Sequence, residues 1–276
     1  MVDATHLTIG GSGAIFAAGA ARLELRTALI AVVGDDVLGR FQLDALARRG
    51  VDVSGVMVDP ERATGLSVIL TRPDDRAILT SVGTIDALER QLVDMRRLRG
   101  ARHVHVTSYF LQHRLRPGLP ALLADARAAG LSTSLDTNWD PTDEWDAGLE
   151  EVLEHVDVLL PNAAEARRIA GVTNTEAAVR ALAERVPVVA VKLGADGAIA
   201  AIAGDVFRAP AHPVEVVDAT GAGDSFDAGF LAGRAWDWPV ERALALACAC
   251  GSLSTRAVGG VDAQPTLEEG LALAGE

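Results

Sequence analysis

A glycine-rich turn followed by an acidic residue, in the segment DATGAGDSFDA (218–228), contains the residue types that phosphoryl transfer requires. Gly221 and Gly223 allow a tight turn, so that backbone N–H groups can converge at the start of a helix predicted over 222–235 and hold an anion. Asp224 would stand in the first helical turn, where its carboxylate could take a proton from an attacking hydroxyl. The alternative is an ordinary glycine turn with an acidic helix start, because short glycine motifs recur by chance.

Five motifs, in this order along the chain, resemble those of the ribokinase-like (PfkB) family of carbohydrate kinases. They are GGSGA at 10–14, VGDD with Gly39 at 33–39, Pro161-Asn162 with Glu165, KLGADG at 192–197, and the segment 218–228. The resemblance runs from about residue 9 to the C-terminus, and the last motif is the most specific. It implies an α/β fold, with a mostly parallel central sheet flanked by helices and a small β lid, and ATP-dependent phosphorylation of a sugar or sugar-acid hydroxyl.

The resemblance also assigns roles to residues of the signature. Asp224 is the expected general base, and the amides of Gly221, Ala222 and Gly223 are expected to stabilise charge on the transferring phosphoryl group. Asp218 corresponds to a carboxylate that lies near a bound monovalent cation in some relatives, so K⁺ dependence is a hypothesis.

A magnesium site is expected at Asn162 and Glu165. These residues lie three apart at a predicted helix start, and their oxygens are ligands that Mg²⁺ prefers. An N-cap followed by a first-turn acid would have the same residue types and spacing. The resemblance favours an outer-sphere Mg²⁺ role.

The remaining expected contacts divide between the nucleotide and the sugar. Expected to bind ATP are Asn162, Lys192, Gly194, Asp196, Gly197 and Cys248. For Lys192 the alternative is a snorkelling strand-end lysine, and for Cys248 an ordinary buried thiol. Expected to border the sugar are Gly10, Gly11, Tyr109, Gln112, Asp136 and Asn138. Asp136 and Asn138 could equally be turn formers.

The composition excludes several classes of partner. With 25 basic and 38 acidic residues, the formal charge of −13 argues against nucleic acid or an anionic membrane as the main partner. No apolar run approaches the about 20 residues needed to cross a bilayer, so a cytoplasmic protein is expected. Cys248 and Cys250 are the two cysteines, and their spacing on a predicted helix suits neither a disulfide nor a shared metal.

Strand-like and helix-like segments alternate along most of the 276 residues, which predicts one domain with a mostly parallel sheet and ligands at the carboxyl ends of its strands. Residues 64–82 break this rhythm and read as a β-hairpin. By resemblance, residues 1–9 and 64–82 form the lid and mediate a homodimer.

The chain also departs from the family pattern. Relatives begin with a buried strand well before the glycine pair, whereas nine residues precede the pair here, so this strand is expected to be absent. Ile15 stands where an Asn is common, and Ala219 where Thr, Ser or Pro is usual. These departures weaken the sugar assignment more than the kinase assignment. A nucleoside kinase, or a catalytically weak nucleotide- or sugar-binding relative, remains the alternative.

Overall fold

The computed structural model describes residues 5–72 and 75–275. These residues form an α/β fold. The helices are α1 Ser12–Arg22, α2 Val37–Arg48, α3 Leu119–Ala128, α4 Leu149–Leu153, α5 Ala163–Ile169, α6 Thr175–Ala183, α7 Ala222–Ala235, α8 Val240–Ser254 and α9 Leu267–Ala274. The strands are β1 Ala28–Gly34, β2 Asp52–Asp59, β3 Leu66–Arg72, β4 Asp75–Ser81, β5 His103–Val106, β6 Ser132–Leu135, β7 Val158–Leu159, β8 Val188–Lys192, β9 Ala198–Ile202 and β10 Asp205–Ala209.

The central sheet has six strands in the order β10-β9-β8-β7-β6-β5. Strands β5 to β8 are parallel, while β9 runs antiparallel to β8 and β10 antiparallel to β9. Short turns and helices connect the parallel strands, so their carboxyl ends share one edge of the sheet. The expected mostly parallel sheet flanked by helices is confirmed.

A separate parallel pair is formed by β1 and β2. Within 5–72 and 75–275, no strand joins this pair to the six-stranded sheet. Ile30 of β1 and Val104 of β5 instead pack against the same small apolar cluster around Leu98.

The structure of residues 5–9 differs from the expectation that segment 1–9 forms part of the lid. Residues 1–4 lie outside the described residues, and residues 5–9 form no strand. Ile9 is 2% exposed and packs in a cluster with Ile15 of α1 and Val261. Its burial places this end of the segment in the body of the molecule.

The expected hairpin is present, with β3 and β4 paired antiparallel and Ile69 opposite Ile78. Residues 73 and 74, at the predicted turn, lie outside the described residues. Several apolar side chains on both strands are exposed, among them Val68, Leu70 and Leu79.

The base of this hairpin is joined to the turn after β1 by Asp36. The Asp36 carboxylate accepts hydrogen bonds from Gly39 N at 2.8 Å, from Thr64 N at 2.7 Å and from Thr64 Oγ1 at 2.8 Å. These bonds, led by that from Gly39, lower the pKa of Asp36 to about 2. A Cβ on Gly39 would lie 2.2 Å from Gly34 O, so the VGDD turn needs glycine there for close packing.

Helix α7 is held against α8 by small residues. A Cβ on Gly229 would lie 2.9 Å from Ala247 Cα, and one on Gly233 would lie 2.8 Å from Ala243 Cα. Glycine therefore lets the two backbones approach closely, which fixes the position of the first turn of α7 relative to the sheet. Among the described residues, no helix is both long and apolar enough for a bilayer span.

Candidate active site

The signature segment forms the turn and helix start that its glycines predict. Gly221 is the N-cap of α7 with φ +74°, and Ser225 N donates to Gly221 O at 2.9 Å. A Cβ on Gly221 would lie 2.8 Å from Gly260 Cα and 2.9 Å from Ile15 Cγ2, so both backbone conformation and space require glycine. Ala222 N donates to Ala219 O at 3.3 Å within the turn. By helix geometry, the first-turn amides that follow have no intrahelical acceptor and can bind an anion.

Asp224 stands in this first turn as a partly buried carboxyl group. Burial raises the pKa of Asp224 to about 7, and the negative charge of Asp136 acts in the same direction. Lys192 and a hydrogen bond with Ser12 oppose this increase in the pKa. A carboxyl group with a pKa near neutrality can both accept and release a proton at the working pH.

Lys192, at the end of β8, lies between two carboxyl groups. Its Nζ donates to Asp136 Oδ2 at 2.7 Å and to the two oxygens of Asp227 at 3.0 and 3.1 Å. The side chains of Lys192, Asp136 and Asp227 are 11%, 10% and 1% exposed. The ammonium group of Lys192 therefore has carboxyl partners beneath α7, and its predicted contact with ATP stays a prediction.

The charges of these three residues depend on one another. Burial would lower the pKa of Lys192, but the two carboxyl groups outweigh burial and raise it. Burial would raise the pKa of Asp136, but Lys192 and hydrogen bonds lower it to about 2. Burial raises the pKa of Asp227 well above its usual range, and Asp227 shares a hydrogen bond with Asp136. A protonated Asp227, an ionised Asp136 and a charged Lys192 account for these directions.

Asn138 connects this group to the start of α1. Asn138 Nδ2 donates to Ser12 Oγ at 3.2 Å and to Ser108 Oγ at 3.4 Å, and Asn138 N donates to Asp136 Oδ1 at 2.7 Å. Asp136 and Asn138 thus form the local turn that their residue types allow, and Asn138 also reaches toward Asp224 through Ser12. Neither Ser12 nor Asp227 was predicted, although both lie inside predicted motifs.

The glycine pair lies beside open space. Gly11 is the N-cap of α1 with φ +86°, and a Cβ on Gly10 or Gly11 would meet nothing within 4 Å. Gly10 O accepts a hydrogen bond from Gln42 Nε2 at 2.7 Å. The backbone here is accessible to a ligand, as the sugar prediction requires. Ile15, in contrast, is 4% exposed and packs against the turn at Gly221, so it does not present an alkyl group to open space.

Tyr109 does not lie where its predicted sugar contact requires, whereas the sugar contact of Gln112 stays a prediction. Tyr109 is 1% exposed, and its hydroxyl donates to Ala147 O at 2.6 Å. Gln112 Nε2 donates to Thr107 O at 2.6 Å. For Tyr109 the prediction was wrong because the chain enters a 3₁₀ turn directly after β5 and directs the ring into the core. The amide of Gln112 is bound to the backbone of the same loop.

Asn162 and Glu165 form a capping box at the start of α5. Asn162 Oδ1 accepts from Ala164 N and Glu165 N, and Glu165 accepts from Asn162 N at 2.8 Å. Glu165 is 5% exposed, and burial raises its pKa to about 7, with the charge of Asp136 contributing. Because these oxygens are engaged locally, they fit contact with Mg²⁺ through water better than direct ligation. The described residues contain no cluster of three or more His, Cys, Asp or Glu side chains suited to a metal ion.

The remaining predicted residues occupy the turn after β8 and helix α8. A Cβ on Gly194 would meet nothing within 4 Å, whereas one on Gly197 would lie 2.1 Å from Ala209 O. Asp196 is exposed in the same turn. Cys248 is buried with Sγ 3.7 Å from Ala209 O, and burial raises its pKa to about 12.

Asp218 connects the signature turn to the loop after α8. Asp218 Oδ1 accepts from Thr220 N at 2.9 Å and from Thr220 Oγ1 at 2.7 Å, and Asp218 Oδ2 accepts from Gly259 N at 2.9 Å. These bonds hold two loops together next to Gly221.

Comparison with known proteins identifies this arrangement. The chain is 37% identical over 247 residues to an ATP-dependent ribose-1-phosphate kinase of Halopiger xanaduensis, covering 89% of this chain and 79% of the relative. It is 35% identical to a fructokinase of Klebsiella pneumoniae, with 93% and 88% covered. A candidate ribokinase II of E. coli, solved in complex with ATP and Mg²⁺, superposes with a TM-score of 0.88 at 30% identity, covering 98% of this chain and 91% of that one. The pfkB family carbohydrate kinase model matches residues 2–267, and the chain belongs to this family.

Proposed function

We propose that this carbohydrate kinase transfers the γ-phosphoryl group of Mg–ATP to a hydroxyl of a sugar or sugar acid, with Asp224 as the general base. The observation that carries this proposal is the position of Asp224. It is a partly buried carboxyl group, with a pKa of about 7, in the first turn of a helix that begins at a glycine N-cap. Base and anion site are thus adjacent, as in-line transfer to a hydroxyl requires.

The amides of Gly221 and Gly223 would stabilise the transferring phosphoryl group, and that of Ala222 would do so only by giving up its 3.3 Å bond to Ala219 O. Amide dipoles at a helix start favour negative charge, and they are fixed in place before the reaction begins. Such backbone donors are important here because the ionised Asp136 offsets the charge of the nearby ammonium group of Lys192.

The acceptor hydroxyl would lie between Asp224 and the glycine pair. Gly10 and Gly11 offer open backbone there, and Asn138 is hydrogen-bonded to Ser12, whose side chain also bonds Asp224. Proton transfer from the hydroxyl to Asp224 would increase the nucleophilicity of the oxygen. The proton then leaves to solvent when the carboxyl group ionises again.

On the nucleotide side, Gly194 and Asp196 lie at an exposed turn at the carboxyl edge of the sheet. The ATP and Mg²⁺ bound to the E. coli candidate ribokinase II support the same cofactors here. Asn162 and Glu165 would hold Mg²⁺ through water, and the ion would neutralise phosphate charge. Asp218, which connects two loops next to Gly221, is the candidate for a K⁺-dependent position.

The class of acceptor is tested by measuring ADP release from Mg–ATP with ketoses, pentoses, sugar acids, sugar phosphates and nucleosides. We expect turnover with one or more sugars, sugar acids or sugar phosphates and none with nucleosides. Turnover confined to nucleosides would contradict the proposed acceptor. ATP and sugar binding without ADP release from any compound would show a binding protein instead of a kinase.

A further inference from the structure

Of the 25 lysine and arginine residues in the chain, one is a lysine and 24 are arginines. This lysine is Lys192, and it lies at the buried centre of the group formed with Asp136 and Asp227. A compact ammonium group can donate three hydrogen bonds in different directions, whereas a guanidinium group is planar and larger. The ammonium group of Lys192 donates in two of these directions, because Asp136 and Asp227 lie in separate parts of the fold.

The three residues connect the elements that meet under the candidate base. Asp136 directly follows β6, Lys192 ends β8, and Asp227 lies on α7 one turn after Asp224. The lysine side chain also lies beside the helix start, since a Cβ added to Gly223 would lie 3.6 Å from Lys192 Cδ and Nζ. A cross-link at this point fixes the first turn of α7 relative to two strand ends.

We propose that Lys192 is a positioning residue. Its ammonium group joins Asp136 to Asp227 and thereby holds the first turn of α7, with Asp224 and the phosphoryl-binding amides, on the carboxyl ends of β6 and β8. The expected loss of rate rests on the proposed function, whereas the role of Lys192 in fixing the first turn of α7 does not. A displacement of about 1 Å at a reacting group can lower a rate on the order of 10²-fold, so a modest shift of this turn is sufficient for a large effect.

Two variants separate positioning from phosphate binding. For Lys192→Arg and Lys192→Met we expect kcat to fall on the order of 10²-fold, while the Kd for Mg–ATP changes less than about threefold. Arginine binds phosphate well but does not fit the compact site. A phosphate-binding lysine would give the opposite result, in which Lys192→Arg retains turnover and Lys192→Met weakens ATP binding. Arg208→Lys is the matched control, because it exchanges arginine and lysine at an exposed position; it should leave kcat unchanged.

Hydrogen exchange in the absence of substrate tests the structural content even if no acceptor is found. The amide of Ser225, which bonds Gly221 O, should exchange at least about tenfold faster in Lys192→Met, while amides in α3 should not change. Unchanged exchange at Ser225 would overturn the proposal whatever the kinetics show.

The unaltered protein provides a further test that does not depend on the folding of a variant. Lysine labelled with ¹⁵N at Nζ gives one side-chain signal in this chain, because there is one lysine. We expect this ammonium signal to show slow proton exchange and to keep its position when Mg and a non-hydrolysable ATP analogue bind. A large shift on binding, or fast exchange in the unliganded protein, would contradict a buried cross-link.

Discussion

At the scale of single residues, the protonation state of Asp224 affects both the expected rate of the reaction and the stability of the folded protein. Burial and the charge of Asp136 raise its pKa to about 7, while Lys192 and Ser12 favour the ionised form. The residue can therefore accept a proton near neutral pH, but it is held in an environment where its charge is unfavourable.

The first prediction concerns the pH dependence of the reaction. Because the base acts in its deprotonated form, kcat/KM at saturating Mg²⁺ should rise as the pH increases through about 7. The measurement is ADP release between about pH 5.5 and 9 with the accepted sugar. A rate that stays constant down to about pH 5.5 would be inconsistent with a base of this pKa.

The second prediction concerns stability. The folded pKa of Asp224 is above its unfolded value of 3.8, so its contribution to stability is fully present below about pH 3.8, declines as the pH rises, and is lost above about pH 7. Asp224→Asn should therefore stabilise the protein at pH 8 by up to roughly 4 kcal/mol, with a smaller gain near pH 5. Urea unfolding at the two pH values gives this difference. An equal effect at both pH values would show that the carboxyl group titrates normally.

At the scale of secondary-structure elements, hydrogen bonds of Thr64 form a joint between the base of the hairpin and the turn after β1. Thr64 connects the hairpin base to the turn after β1 through bonds with Asp36 and Gly34. Thr80, in contrast, bonds Ser67 on the exposed hairpin. The two threonines therefore allow a matched comparison.

The third prediction uses this pair. Thr64→Val removes the hydroxyl bonds at the joint, so the hairpin should be less well fixed. If the hairpin is the predicted lid over the sugar, KM for the sugar should rise on the order of tenfold. Thr80→Val should leave KM near the wild-type value. Steady-state kinetics of both variants make the comparison, and equal KM values would show that the joint does not position the lid.

The fourth prediction concerns two half-buried histidines on the edge strand β5. His103 bonds Ser132 and Ser134, and His105 bonds Ser134. Burial lowers the pKa of His103 to about 4 and that of His105 to about 3. The unfolded chain therefore binds more protons between these values and about 6.5, and each histidine lowers stability as the pH falls through that window.

At pH 5 each histidine should cost on the order of 2 kcal/mol relative to neutral pH. The double variant His103→Gln/His105→Gln should therefore lose less stability than the wild type between about pH 7.5 and 5. Exposed His113→Gln is the control. The same loss in the double variant and the wild type would contradict the assignment.

Regular elements were largely predictable, because they depend on local patterns. Helix α7, for example, matches its prediction at residues 222–235. The partners of Lys192 were not predictable, since Asp136 and Asp227 lie 56 and 35 positions away in the chain. Strand-end position gave the location of the lysine but not the direction of its ammonium group. Likewise, the position of Tyr109 after β5 was correct, but its ring direction depends on packing in the core.

At the scale of the whole molecule, the fold brings distant segments to one edge of the sheet, where acidic groups predominate. The formal charge of −13 is consistent with a site that needs Mg²⁺ and backbone amides to bind phosphate. The hairpin exposes apolar side chains on both of its strands. We propose that a second copy of the chain covers part of this surface, as the lid prediction implies.

The fifth prediction tests this homodimer. Ile78 and Leu79 are exposed neighbours on β4, and alternate residues of a strand point to opposite faces. If one face of the hairpin forms the interface, one of the variants Ile78→Glu and Leu79→Glu should give monomers and the other should remain dimeric. Sedimentation at micromolar concentration makes the distinction. A monomeric wild type would contradict the proposed dimer.

The most direct test of the central claim is the single-turnover rate of phosphoryl transfer to the accepted sugar in the wild type and in Asp224→Asn, with bound Mg–ATP confirmed in both. A general base predicts a loss on the order of 10²–10⁴-fold in the variant, with ATP binding retained. A folded, ATP-bound Asp224→Asn that transfers the phosphoryl group at a near-normal rate would show that Asp224 is not the base.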